Sequence, residues 1–222
     1  MGRKRNKRHN EASNTDIITE VSVKSGNPLT LSSEYNGIFK TSEKNILELG
    51  CARGEYSLGM VDLFPEKNFI GVDIKGERLI IGSRKAKELN LQNIRFYRIQ
   101  VEHIDTFFPE NLFDEIWIPF PDPHPGLKNG NKRLTSERFL DVYRHILKDD
   151  GVIHLKTDCD ILYNFSLETV KEHATLIEST NDLYRSDLIK NDLLKIQTTY
   201  EKRYVLEGRT IKYLKFSLRN GL

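Results

Sequence analysis

The chain has 222 residues, 38% hydrophobic and 30% charged, which suits one globular domain, with or without extra segments, and supplies enough apolar side chains for a full-sized core. No apolar run approaches the roughly 20 residues that span a bilayer, and no apolar stretch follows the basic N-terminus, so neither a membrane span nor a secretory leader is expected and the cytoplasm is. Cys51 and Cys159 are too few for a disulfide framework or a cysteine-based zinc site, no metal is expected, and a net charge of +2 means that any polyanionic partner must meet local basic patches.

Residues 1–10, MGRKRNKRHN, hold five Lys/Arg and no acid, and the sequence stays polar to about residue 40, with turn chemistry at SGNP and SSEYNG. This predicts a basic arm over 1–40, flexible at its start, ahead of a domain over 41–222. From residue 45, apolar runs of strand length alternate with amphipathic stretches of helix length: NILEL then EYSLGMVDLF, NFIGVD then GERLIIGSRKAKELN, IRFYRI, DEIWI then SERFLDVYRHILK, GVIHLKT then ILYNFSLETVKEH. Continuous apolar strands separated by helices imply a parallel sheet covered on both faces, a doubly wound α/β fold of Rossmann-like type. Beyond residue 175 come TLIEST, a helical DLYRSDLIKNDLLK and a final strand TIKYLKFSL, which are expected at the far edge of the sheet and make it mostly parallel with an antiparallel edge strand. Two further basic clusters lie at KNGNKR and over 195–219, where seven Lys/Arg face two Glu.

In such a sheet ligands sit beyond the carboxyl ends of the strands. The first strand ends in LELGCARGEY, where Gly50 and Gly54 let the backbone turn sharply and lie against a ligand. The second ends at Asp73, nineteen positions after Gly54, placed to accept hydrogen bonds from ribose hydroxyls. Together these describe a cofactor containing adenosine. The spacing departs from the Gly-x-Gly-x-x-Gly of a dinucleotide site, and Glu48 beside the turn would repel a pyrophosphate while suiting the amino group and sulfonium of S-adenosylmethionine, so the methyl donor fits better than NAD. By topology a third contact is expected at the end of the third strand, near Gln100.

The fourth strand runs into PFPDPHP, residues 119–125, which holds four of the chain's seven prolines. Each proline fixes its own φ and keeps the preceding residue out of the helical region. The stretch therefore reads as a stiff, extended lip over the cofactor, with Phe120, Asp122 and His124 tending to share one side.

ELGCARGEY, FIGVDIKGERL, WIPFPDPHP with KRLTSERFL, GVIHLKTD and TTYEKR, in this order, resemble the tRNA (guanine-N7)-methyltransferase family over about residues 44–218. The resemblance implies transfer of a methyl group from S-adenosylmethionine to N7 of guanine 46 in the tRNA variable loop. Glu48, Gly50, Gly54, Asp73, Gln100 and Asp122 would contact the cofactor, with Asp122 also the catalytic acid lying between cofactor and guanine. Lys128, Asp158, Thr198, Tyr200 and Glu201 would contact the substrate. A monomer or homodimer with no obligatory protein partner is expected. The residue types agree with the chemistry: N7 carries a free lone pair and no proton, so the enzyme must chiefly place the reactants in line and supply negative charge as the purine becomes cationic.

Three positions depart from the family pattern. Ala52 stands where a glycine is usual, His124 where tryptophan is usual, and Gly126 at the place of a lysine that contacts substrate, for which Lys128 or the N-terminal arm would have to substitute. These departures motivate the alternative of a catalytically silent tRNA-binding protein with the same fold.

Overall fold

The computed structural model describes residues 18–20 and 44–218; the basic run at 1–10 and most of the polar arm lie outside the described residues. The chain divides into two compact units with a boundary between Pro109 and Glu110.

The first unit holds strands β1 (Ile18–Glu20), β2 (Asn45–Leu49), β3 (Asn68–Asp73) and β4 (Ile94–Arg98), and helices α1 (Glu55–Leu63), α2 (Gly76–Glu88) and the single turn α3 (Ile104–Phe107). β3 pairs in parallel with β2 on one side and β4 on the other, and β1 pairs in parallel with β4. Every residue of β2 and β3 is buried, as continuous apolar runs covered on both faces require. α2 buries Leu79, Ile80, Ser83 and Ala86 along one stripe and turns its arginines and lysines outward, the period expected of a helix laid on a sheet. The polar arm gave no sign of the three-residue strand β1.

Three glycines surround the ring of Phe96 on β4. A Cβ built on Gly54, Gly71 or Gly82 would come within 2.4, 2.7 and 3.0 Å of that ring, and the one on Gly82 would also strike the Arg53 carbonyl at 2.5 Å. The start of α1, the middle of β3 and the second turn of α2 thus approach one aromatic ring with nothing to spare.

The second unit holds β5 (Phe113–Pro119), α4 (Glu137–Ile146), β6 (Leu147–Thr157), α5 (Asp160–His173), β7 (Ala174–Thr180), the single turn α6 (Asp192–Lys195), α7 (Thr199–Leu206) and β8 (Lys212–Leu218). β5 and β6 are parallel, and β8 runs antiparallel to both β6 and β7. The expected antiparallel strand is β8, with β7 outside it. The predicted helix over residues 182–195 is broken into two 3₁₀ turns and α6. Ser186 and Asn191 lie in extended backbone, and the Asn191 side chain accepts from the Leu193 N–H, so local polar groups satisfy the backbone and restart the helix.

One face of β6 is apolar through Ile153 and Leu155. The other carries His154 and Lys156, both buried, with Trp117 of β5 opposite His154 and Tyr213 of β8 opposite Lys156. The His154 ring stacks on Trp117 at 3.9 Å and shares a 2.8 Å hydrogen bond with the Tyr213 hydroxyl. The alternation of strands and helices read from the sequence is the architecture found: Rossmann-like α/β, mostly parallel, with an antiparallel strand near its end.

Candidate active site

The turn after β2 is built from left-handed residues. Gly50, Ala52 and Gly54 have φ of 65°, 51° and 66°. For the two glycines this costs little, whereas an alanine there is disfavoured by about 1–2 kcal/mol. A Cβ on Gly50 would meet nothing within 4 Å, so the backbone there faces open space, while Gly54 is pressed on Phe96. The two glycines therefore have different work: one leaves a ligand room, the other lets α1 start close to the sheet.

Asp73 holds this turn to the end of β3. Its Oδ2 accepts from the Ala52 N–H at 2.9 Å and its Oδ1 from the Lys75 N–H at 2.7 Å. Glu48 is buried, and its Oε2 accepts from both the N–H and the hydroxyl of Ser57 on α1. Burial, with a smaller push from Asp73 and Glu55, raises the Glu48 carboxyl to a pKa of about 8 against the pull of the Ser57 bonds. Neither Glu48 nor Asp73 has a cationic side-chain partner among the described residues, and burial keeps Glu48 protonated at neutral pH until a cation is brought beside it. Gln100 follows β4, is exposed, and precedes a 3₁₀ turn. Ile74 is an exposed apolar side chain directly beyond Asp73, a position the sequence reading passed over. Open backbone at Gly50, acids deficient in cations, and an apolar surface beside them fit a cationic nucleoside.

In the second unit the lip is stiff but not extended, which corrects the sequence reading. Phe120 and His124 have φ of 52° and 42°. A following proline excludes the right-handed helical region without forcing the β region, and specific bonds here select the left-handed one. The Phe120 N–H donates to the Lys156 carbonyl at 2.8 Å. Arg133 donates from Nε to the Pro123 carbonyl and from Nη2 to the His124 carbonyl, at 3.1 and 3.0 Å, and its guanidinium lies over the Phe165 ring. Arg133 looked like part of an RNA-facing basic cluster; it is 5% exposed and clamps the lip instead. Asp122 is 75% exposed at its side chain; among the described residues it accepts a 3.3 Å bond from the His124 N–H and lies 4.0 Å from the His124 ring nitrogen Nδ1, so its carboxylate remains largely available. Lys128 is exposed within the 3₁₀ turn after the lip.

The remaining candidates cluster at the end of β6. Thr198 caps α7, accepting from the Glu201 N–H at 3.1 Å, and Tyr200 is exposed on its first turn. Glu201 is fully buried in an ion pair with Lys156 and also accepts from the Tyr184 hydroxyl at 2.9 Å. Asp158 accepts from Arg209 Nη1 at 2.8 Å, and Cys159 stands at the cap of α5. The sequence showed no sign of Lys156, which lies 45 positions from its partner.

A family model described as "Putative methyltransferase" matches residues 42–214. A protein named tRNA (guanine-N(7)-)-methyltransferase from Bacteroides fragilis (strain YCH46) is 44% identical over 185 residues, covering 83% of this chain and 72% of its own length. A protein of the same name from Porphyromonas gingivalis (strain ATCC BAA-308 / W83) is 43% identical over 185 residues, with coverage of 83% and 75%. Among solved structures, that of the 16S rRNA methyltransferase KamB superposes with a TM-score of 0.60 at 11% identity, covering 85% of this chain and 93% of that one, a likeness of fold alone.

Proposed function

The chain belongs to the tRNA (guanine-N7)-methyltransferase family, and from that membership we propose that it transfers the methyl group of S-adenosylmethionine to N7 of guanine 46 in the variable loop of tRNA, in the cytoplasm. The observation that carries the reading is the left-handed turn at Gly50, open above its backbone and flanked by Glu48 and Asp73, which suits a cationic donor better than a dinucleotide. When bound, S-adenosylmethionine supplies an electrophilic methyl on a sulfonium.

The chain's own residues do the placing. Asp73 fixes the turn and keeps lone pairs for ribose hydroxyls; Glu48, protonated in the free protein, gives up its proton beside the amino group and sulfonium and then supplies negative charge there. Gly50 gives the backbone access, Gly54 the close start of α1, and Gln100 a polar contact at the end of β4. Asp122, held on a clamped lip, offers a carboxylate to the guanine as positive charge develops on the ring. Asp158 keeps lone pairs for the ring N–H and amino group of guanine, a donor pattern adenine lacks. Thr198 and Glu201 act by fixing the start of α7, which presents Tyr200 to the substrate, and Lys128 contacts the RNA backbone.

The test is to incubate the purified protein with S-adenosylmethionine and unmodified tRNA, digest to nucleosides, and measure 7-methylguanosine by mass spectrometry. Formation of the product with wild type, and its loss by about 10²-fold or more in Asp122→Ala without loss of cofactor affinity, is expected. Cofactor binding without product would reject the acceptor, and binding of tRNA without cofactor would leave only an RNA-binding role.

A further inference from the structure

Arg209 has a specific set of contacts. Nη1 donates to Asp158 at 2.8 Å, Nη2 sits 2.8 Å from a Glu207 carboxylate oxygen, and the guanidinium lies 4.6 Å from the centroid of the Tyr204 ring. Tyr204 is edged in turn by Phe120 of the lip, at 5.8 Å between centroids. Despite these contacts the Arg209 side chain is 48% exposed, whereas its partner Asp158 is only 17% exposed.

This arrangement limits what Arg209 can do. Each terminal nitrogen already faces a carboxylate, and two acids at that edge disfavour a phosphate beside it. One planar face is covered by Tyr204. What it has left is the exposed part of a flat group, held in place beside a carboxylate suited to the donor edge of a guanine. Unstacked RNA bases are bound by just such planes, aromatic or guanidinium.

We propose that Arg209 is the stacking platform for the target purine, with Asp158 reading the edge of the same base. The proposal rests on the tRNA reading given above and adds to it a positioning residue that confers substrate affinity. Tyr204 supports the platform from beneath, and Phe120, in its left-handed conformation, fixes Tyr204 relative to the lip.

The test separates a stacked plane from a point charge. Arg209→Lys keeps the charge and loses the plane; Arg209→Tyr keeps a plane and loses the charge. For stacking, Arg209→Lys lowers kcat/KM for tRNA roughly tenfold or more, mostly through KM. Arg209→Tyr then stays within about threefold of wild type, and both bind S-adenosylmethionine as wild type does. The dependence of tRNA affinity on salt keeps its slope in both. The reverse result overturns the proposal: an active Arg209→Lys, a weakened Arg209→Tyr, and a slope reduced by about 0.7–0.9 would make Arg209 a phosphate contact. Thermal melting accompanies each variant; if Arg209→Tyr does not fold, activity and salt slope of Arg209→Lys decide alone. If wild type forms no 7-methylguanosine, the methyltransferase reading fails, and the tRNA-binding curves of the same variants still decide the platform.

Discussion

The ammonium of Lys156 meets the carboxylate of Glu201 at 2.8 Å with both side chains wholly buried. The carbonyls of Leu194 and Ile196 accept from the same ammonium, and the Lys156 carbonyl receives the Phe120 N–H of the lip. Burial pushes the lysine pKa down and the glutamate up, and each charge pulls the other back. The pair thus joins the end of β6, the start of α7 and the lip.

Removing one partner leaves the other charged and alone. Glu201→Ala or Lys156→Met should each destabilise the protein by about 3–5 kcal/mol, while Lys156→Met combined with Glu201→Leu recovers most of that loss. Chemical denaturation of the three variants measures it. A double variant no better than the singles would show that the tyrosine and carbonyl contacts, not the charge pair, carry the stability.

Glu48 links stability and cofactor affinity to pH. Its carboxyl is raised from 4.5 to about 8, so between those values the folded protein binds a proton that the unfolded chain does not. Its contribution is therefore fully present below pH 4.5 and fades as pH rises towards 8. A cationic cofactor favours the ionised acid, so binding should release a proton in this window and tighten as pH rises. Calorimetry in buffers of different ionisation enthalpy detects the proton, and Glu48→Gln abolishes it.

Ala52 occupies a left-handed position while its N–H donates to Asp73. Ala52→Gly relieves the strain at some cost in chain entropy, for a net gain of up to about 1 kcal/mol. A higher Tm with unchanged or tighter binding of S-adenosylmethionine is expected. A lower Tm would mean that the turn gains more from a stiff residue than it loses to strain.

Arg133 holds two lip carbonyls through a fork that lysine cannot reproduce. Arg133→Lys should lower kcat for tRNA methylation about tenfold or more by letting the lip shift, with cofactor affinity unchanged. Parallel measurement of kcat and cofactor binding checks it; an equal loss in both would mean that the residue supports the whole unit.

Much of the turn proposed to hold the donor was legible in the sequence because its signals are local. Glycines in a turn and an acid at the next strand end follow from spacing, and both stand where expected. The lip was half legible: prolines announce rigidity, but the choice between extended and left-handed backbone at Phe120 and His124 depends on bonds from Lys156 and Arg133, which no local rule supplies. The TTYE segment carried a capping signal, Thr198 with Glu201 three residues on, that its likeness to a substrate motif obscured. Its partner Lys156 was invisible because nothing in HLKTD distinguishes a buried lysine from an exposed one.

The slot around Phe96 governs how this sequence can drift. Gly54, Gly71 and Gly82 each look like an independent position, yet one ring forbids a side chain at all three. A smaller residue at 96 would relieve the ring contact at all three, yet Gly82 would still meet the Arg53 carbonyl, Gly71 the Cys51 sulfur, and Gly54 would keep its left-handed backbone. In distant relatives a change at the ring should therefore loosen Gly71 before the others, and Gly82, stopped by backbone, should change last.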